Sequence, residues 1–446
     1  MVSKNEEYIV DIVDNGTDGE GIAKIDGYTL FINGAIKGEK VKTLVVKANK
    51  TYGYGKLIEI IKSSNDREEP ICPHFKKCGG CALQHMTYEA QMRFKEEKVK
   101  KTLAKFGIAN TNFEPIIGMG IPYNYRNKAQ YPCQNGKIGF YSQRSHEVIE
   151  NDYCYIQDEE ADKLAKRAFE LLMELGNICY DETIRSGLLR HIMVRVGKNS
   201  GELMLVIITN GNDIIDKEEF ISKITGEFPS LKSVIQNINN DNTNIIMGKK
   251  CITLFGQDHI VDILGDYKFN ISPLSFYQVN PVQTEALYNS AIEMANLNGS
   301  ETAFDLYCGI GTISTFLSAK CKKVYGVEIV PEAIEDAKEN AKINEINNID
   351  YRCGAAEELI PTMYEEGISA DVVFVDPPRK GCDQALLDTI IKMKPEKMVY
   401  ISCNVATLGR DLQYLIENGF ELKIVQPVDQ FPQTAHVECI CVLEGR

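Results

Sequence analysis

Over the first sixty or so positions, apolar residues come in short runs broken by glycine. Tyr8-Ile9-Val10 and Asp11-Ile12-Val13 open the chain, Gly16, Gly19 and Gly21 interrupt it, and Tyr28–Ile32, Val41–Val46 and Gly55–Ile61 follow. Short strands at roughly ten-residue spacing predict a small closed β-barrel over residues 1–62. The polar stretch Ser63–Pro70 reads as a linker. A cysteine-rich loop comes next, then a helical pattern from about Tyr88 to Phe106, then a mixed α+β region to about Tyr267. From Ile271 onward apolar strands alternate with helix-period segments. That alternation predicts an α/β, Rossmann-like domain with a mostly parallel sheet. The expected division is therefore 1–62 barrel, 63–270 central domain and 271–446 α/β domain. The helix near 88–106 could instead pack on the last domain and make it discontinuous.

Apolar runs stay short, as in Leu203–Ile208, so no membrane span is expected. The first residues, MVSKNEEYIVDIVDN, carry no apolar signal core, and a cytoplasmic protein is expected. The fourteen cysteines should then be core fillers, metal ligands or reactive thiols rather than disulfides. A net charge of −14 speaks against a broadly basic phosphate-binding surface but leaves room for a local patch. Nothing in the sequence demands more than a monomer.

Candidate chemistry gathers in the last domain. Thr302–Leu306 runs as a strand into Cys308-Gly309-Ile310-Gly311, where glycine lets a ligand approach the backbone. A dinucleotide fingerprint would place a third glycine at position 314, which is Ser314. The next strand ends in Glu328, an acid placed to hold ribose hydroxyls, and another ends in Asp376. With Asp305, these acids point to one crevice at the carboxyl ends of the strands. S-adenosylmethionine suits that crevice better than NAD. The stretch VYISCNVATLGRDL places Cys403 where a buried strand gives way to a helix. Alone, it reads either as an apolar plug or as a thiol presented to a substrate.

Two further features stand outside that domain. Cys72, Cys78 and Cys81 have C-x5-C-x2-C spacing, which points to a metal centre and leaves zinc and a 4Fe-4S cluster both open. The stretch from Tyr123 to Arg144 has Arg126, Lys128, Lys137 and Arg144 and no acid. Interleaved Tyr123, Tyr125, Tyr131, Phe140 and Tyr141 make it either an RNA-contacting face or a hairpin with core aromatics. Lys95, Lys98 and their basic neighbours on the preceding helix, and Arg185, Arg190 and Arg195, are further candidate contacts.

The ordered motifs Ser272–Asn280, Asp305–Gly309, Val375–Arg379, Ser402-Cys403-Asn404 and His436-Val437-Glu438 together resemble the RNA uracil-5-methyltransferases over nearly the whole chain. The barrel resembles a TRAM RNA-binding domain. The cysteine loop resembles the branch that modifies 23S ribosomal RNA. Asn124–Lys128 and Gly139–Glu147 look closest to its two-target Gram-positive members. The resemblance implies a cofactor site of Gln278, Tyr307, Glu328 and Asp376, a nucleophile at Cys403 and a base at Glu438. It also implies a 4Fe-4S cluster on Cys72, Cys78, Cys81 and Cys154, with Cys133 outside the pattern.

The chemistry needs these residue types. Carbon 5 of uracil is a poor nucleophile until a thiolate adds at carbon 6, and a base must later take the carbon-5 proton. The expectation is a setting that favours the Cys403 thiolate, such as the N-terminus of a helix starting near Val405. Glu438 in an apolar strand is costly unless used, although it could simply face solvent at a strand start. The target base must leave its stack to reach the thiol. Three rivals remain: the same reaction on the T-loop of transfer RNA, an inactive RNA-binding assembly module, and an iron–sulfur redox carrier.

Overall fold

The computed structural model describes residues 2–143 and 145–445. Strands β1 (Glu7–Asn15), β2 (Gly21–Ile25), β3 (Tyr28–Asn33), β4 (Lys40–Ala48) and β5 (Tyr52–Lys62) close into a barrel of order β1-β2-β3-β5-β4. Their inward residues, among them Val10, Ile12, Leu30, Ile32, Val41 and Val45, form its core. At Gly55 an added Cβ would lie 2.3 Å from the Thr43 hydroxyl, so the glycine lets β4 and β5 close. The buried carboxylate of Glu39 takes two hydrogen bonds from Arg67, at 2.5 and 2.9 Å, and ties the linker to the barrel.

Helix α1 (Tyr88–Ala104) follows, capped by the Thr87 hydroxyl, and then the short strand β6 (Asn112–Phe113). The central region holds β7 (Lys128–Gln134), β8 (Lys137–Ile138), β9 (Phe140–Tyr141), β10 (Val148–Ile149), α2 (Glu159–Glu174), β11 (Leu189–Val196), β12 (Leu203–Thr209), α3 (Lys217–Glu227), β13 (Leu231–Ile238) and β14 (Lys250–Gly256). Six of its strands form a sheet of order β14-β13-β12-β11-β7-β8. Strands β11 and β12 are buried along their whole length; the apolar run of β12 requires it, whereas β11 buries Arg190, His191 and Arg195 as well.

A hairpin, β15 (Ile260–Leu264) and β16 (Tyr267–Ile271), leads into the last region. There lie α4 (Pro281–Ala295), β17 (Thr302–Leu306), α5 (Thr312–Ser318), β18 (Lys323–Glu328), α6 (Pro331–Ile343), β19 (Ile349–Cys353), α7 (Ala356–Glu365), β20 (Val372–Val375), α8 (Gln384–Met393), β21 (Lys397–Ser402), α9 (Val405–Glu417), β22 (Phe420–Val428) and β23 (Glu438–Gly445). The sheet order is β19-β18-β17-β20-β21-β23-β22-β6. Strands β17 to β21 run parallel, and β23 is antiparallel to both β21 and β22.

Packing does not follow chain order. Val99 and Leu103 of α1 share a core with Leu408 and Leu412 of α9 and with Val375 of β20. Strand β6 extends the sheet beside β22. The segment at 88–113 is thus a layer of the C-terminal sheet, although the whole central region separates them in sequence. On the sheet's other face, Leu287 and Phe316 share a core with Met204 and Ile235 of the central sheet. Among the described residues no helix is long and apolar enough to cross a membrane.

Replacing Leu103, fully buried under α9, by alanine is expected to lower stability by about 2–5 kcal/mol. Urea unfolding followed by near-ultraviolet circular dichroism checks this. A variant as stable as the parent would mean that α1 is not part of that core.

Candidate functional site

Parallel strands deliver their carboxyl ends to one edge, and the first residue of an antiparallel neighbour arrives at the same edge. Asp376 follows β20, Cys403 follows β21, and Glu438 begins β23. The register pairs Ser402 with Cys439, which sets Cys403 and Glu438 side by side. The loop after β20 is pinned to the start of α9, because Asn404 Nδ2 and the Thr407 hydroxyl donate to the Arg379 carbonyl at 3.0 and 3.1 Å. Arg379 therefore stands close enough to favour the ionised forms of both Cys403 and Glu438.

Glu438 is 3% exposed, and its Oε2 has no hydrogen-bond partner among the described residues. Burial and the nearby Asp376 carboxylate push its pKa well up, so the resting side chain favours the neutral form. Burial and Asp305 push Asp376 up to about 7. Asp305, fully buried, accepts from the Ser314 hydroxyl at 2.5 Å, and its Oδ1 has no hydrogen-bond partner among the described residues. Ser314, standing where a third glycine was looked for, is thus the support of that acid.

The expectation of a thiolate-favouring setting at Cys403 is not met. Helix α9 does begin at Val405, with the Asn404 side chain as its cap. Yet burial, then Glu438 and Asp376, push the thiol up to about 11. Desolvation and two acids outweigh the helix terminus and Arg379.

The cofactor candidates divide. Glu328 accepts from the N–H groups of Gly309 at 3.2 Å and Val330 at 3.0 Å, so it is oriented at the β17–β18 edge. The space over Gly309 is open, and Ile329 and Val330 beside it are exposed. Open space, an oriented acid and bare apolar residues fit a nucleoside of S-adenosylmethionine. Tyr307 has a φ of +67°, a strained value for a tyrosine, and its ring turns toward the start of α8. Gln278 is buried in the loop before α4, and its carbonyl accepts from Asn127 Nδ2 at 3.1 Å. No direct contact joins it to Glu328 or Asp376 among the described hydrogen bonds. A residue missed in sequence is Tyr288 of α4, buried close to Asp305, Asp376 and Glu438. Its i, i+3, i+4 apolar neighbours on α4 gave it the look of plain core.

Cys72, Cys78, Cys81 and Cys154 line one cavity of about 350 Å³, with Arg126 and Lys128 and no acid in its wall. Gln84 Nε2 donates to Cys81 Sγ at 3.3 Å, and Gly80 N–H to Cys78 Sγ at 3.4 Å. Among the described residues no three His, Cys, Asp or Glu side chains converge as one bound ion would require. Cys133 is buried elsewhere, on β7.

Of the two readings of Tyr123–Arg144, the hairpin with core aromatics is the one the structure favours. Tyr125 and Tyr131 are core, and Phe140 packs on Tyr131 at 4.9 Å between ring centroids. Arg126 and Lys128 face the cysteine cavity. Arg190 and Arg195 are buried and donate to backbone carbonyls of Asn239 and Asp241, and of Pro273 and Ser275. Lys95 is fully buried against Asp429. Lys137 and Arg185 remain exposed, and Arg144 lies outside the described residues.

Comparison with known proteins follows the same plan. The tRNA (Uracil-5-)-methyltransferase family profile matches residues 227–446, and the TRAM domain profile residues 2–58. An uncharacterized RNA methyltransferase of Halalkalibacterium halodurans is 52% identical over 99% of this chain and 98% of its own. A second, of Clostridium tetani, is 51% identical over 99% and 97%. The crystal structure of Pyrococcus abyssi tRNA (uracil-54, C5)-methyltransferase with S-adenosyl-L-homocysteine is similar with a TM-score of 0.79. It is 25% identical and covers 98% of this chain and 99% of its own.

Alkylation of Cys403 by iodoacetamide, followed by peptide mass spectrometry, is expected to keep accelerating above pH 9 toward its titration near pH 11. An ordinary thiol would be half-ionised at about pH 8.5 and level off by about pH 10. A plateau by that pH would show that the surroundings do not disfavour the thiolate.

Proposed function

The chain belongs to the RNA uracil-5-methyltransferase family with a TRAM domain, and from that premise we propose that it methylates carbon 5 of a uridine in 23S ribosomal RNA through a covalent Cys403 adduct. It is an S-adenosylmethionine-dependent RNA methyltransferase. The observation that carries the covalent route is the pairing of Cys403 with a buried Glu438 at one sheet edge.

Bound S-adenosylmethionine supplies an electrophilic methyl group. The Cys403 thiol gives up its proton to solvent, and the thiolate adds to carbon 6 of the uracil, which makes carbon 5 nucleophilic enough to accept the methyl group. Arg379 favours the thiolate, and a neutral Glu438 withholds the like charge that would oppose it. Once the adduct has formed, Glu438 gives up its own proton to solvent, and the resulting carboxylate takes the proton from carbon 5 as the carbon–sulfur bond breaks. A carboxylate whose proton affinity has been raised by burial is a stronger base than one in water. Gln278, Tyr307, Glu328 and Asp376 are assigned to the cofactor.

The four cysteines are assigned to a 4Fe-4S cluster with a structural role. Two cations and no acid in the cavity wall suit an anionic tetrathiolate group, and N–H donors already point at two sulfurs. The ribosomal substrate rests on the likeness of the cysteine loop and of Asn124–Lys128 to the 23S branch. Transfer RNA has the Pyrococcus abyssi neighbour in its favour.

Enzyme and S-adenosylmethionine would be mixed with 5-fluorouridine-substituted 23S fragments and, separately, with substituted tRNA. Fluorine blocks proton removal, so a Cys403 adduct is expected with the ribosomal RNA alone. An adduct with tRNA alone would overturn the substrate, and none with either would overturn the covalent route. Anaerobically purified protein is expected to contain iron and sulfide, and Cys81→Ser to lose both; zinc in their place would reject the cluster.

A further inference from the structure

We propose that α1 is a positioning element for the catalytic base, gripping the strap at residues 429–437 that delivers Glu438 to the site. This rests on the reading of Glu438 as the base that resolves the Cys403 adduct.

Gln91, Lys95 and Lys98 share one face of α1, being four and three residues apart. Each takes hold of the strap. Gln91 Nε2 donates to Gln433 Oε1 at 2.9 Å, and Gln433 N–H donates back to Gln91 Oε1 at 3.1 Å. The Lys95 ammonium pairs with Asp429, both side chains at 0% exposure, and donates to the Phe431 carbonyl at 3.0 Å. Lys98 Nζ donates to the Ala435 carbonyl at 2.7 Å, three residues before Glu438.

The strap needs such a grip. It joins β22 to β23, and its ends are the paired residues Val428 and Glu438. Gln433 sits in it at a φ of +69°, a conformation that side-chain-bearing residues rarely adopt and that its surroundings must enforce. A buried lysine–aspartate pair is a poor source of stability, because apolar residues of like volume would hold as well without the desolvation cost. Directional hydrogen bonds to successive carbonyls fix something apolar packing does not, the path of the backbone. That path decides where the Glu438 carboxylate meets the substrate.

The distinguishing readout is which step slows. The base acts only after the adduct has formed, so a displaced base leaves the adduct stranded. Lys98→Met, and separately the paired change Lys95→Met with Asp429→Leu, would be assayed in single turnover with unmodified RNA. Denaturing gels would follow adduct formation and decay. Adduct decay is expected to slow about tenfold while adduct formation and the KM for RNA stay near the parent values. Lys98→Arg, which keeps a donor, is expected to restore decay. Formation and decay slowing together, a raised KM as the main effect, or parent-like decay in folded variants would overturn the proposal. The parent enzyme with fluorouridine RNA separates the two claims. No Cys403 adduct there defeats the covalent reading, whereas a normal adduct with parent-like decay in the variants defeats the grip alone.

Discussion

Keeping carboxylates out of water beside a thiol is the constraint on which this structure turns. Asp305, Asp376 and Glu438 crowd the same sheet edge, and two of them keep an oxygen without a hydrogen bond. Each costs free energy to bury and each raises the proton affinity of the next. The sheet provides the answer, because the backbone pairing of its parallel strands and of the antiparallel β23 fixes all three positions before any side chain interacts. Ser314 steadies Asp305 and Arg379 opposes the accumulated negative charge. The same crowding raises the Cys403 thiol, so the resting site holds the Cys403 thiol and the Glu438 carboxyl both largely protonated.

That edge is also where distant parts of the chain meet. The N–H groups of Ala82 and Leu83, just after Cys81, donate to the Gln433 carbonyl at 2.9 and 3.0 Å. The Tyr125 hydroxyl donates to the Pro432 carbonyl at 3.0 Å. On its other side the cysteine cavity includes Val279, next to Gln278, and Asn127 N–H donates to the Val279 carbonyl. The four-cysteine loop thus bears on both the strap before Glu438 and the loop of Gln278. A group that knits those cysteines together would steady the site without exchanging an electron with it.

Much of this was legible in the sequence, and the failures have a common cause. The barrel and the strand–helix alternation follow from local apolar periodicity, which backbone geometry converts directly into elements. The convergence of Asp305, Glu328 and Asp376 followed from strand ends, a rule of topology, whereas Cys403 and Glu438 were singled out by the resemblance. What one-dimensional pattern could not reveal was which surface a charged side chain meets. Lys95, Lys98, Arg190 and Arg195 read as solvent-facing cations and are instead partners of carbonyls and of Asp429, contributed by segments far along the chain. The balance at Cys403 was missed for the same reason. The helix terminus is visible in sequence, whereas the desolvation and like charge that outweigh it exist only once β20, β21 and β23 are assembled.

Spending cations on the interior bears on how an acidic chain meets RNA. Against a net charge of −14, the basic residues withdrawn into the fold are lost to phosphate contact. On α1, Arg93 is paired with Asp66, and Lys101 with Asp14 and Glu97. The barrel offers something different: Phe31, Tyr52 and Tyr54 lie within 5.9 to 6.1 Å of one another, ring to ring, with the two tyrosines exposed. Aromatic faces hold unstacked bases without needing charge. A substrate gripped through bases must already be looped or open. That is also the state in which a uridine can leave its stack and reach Cys403. The acidic balance of the chain and the covalent chemistry proposed for its interior therefore select the same form of RNA.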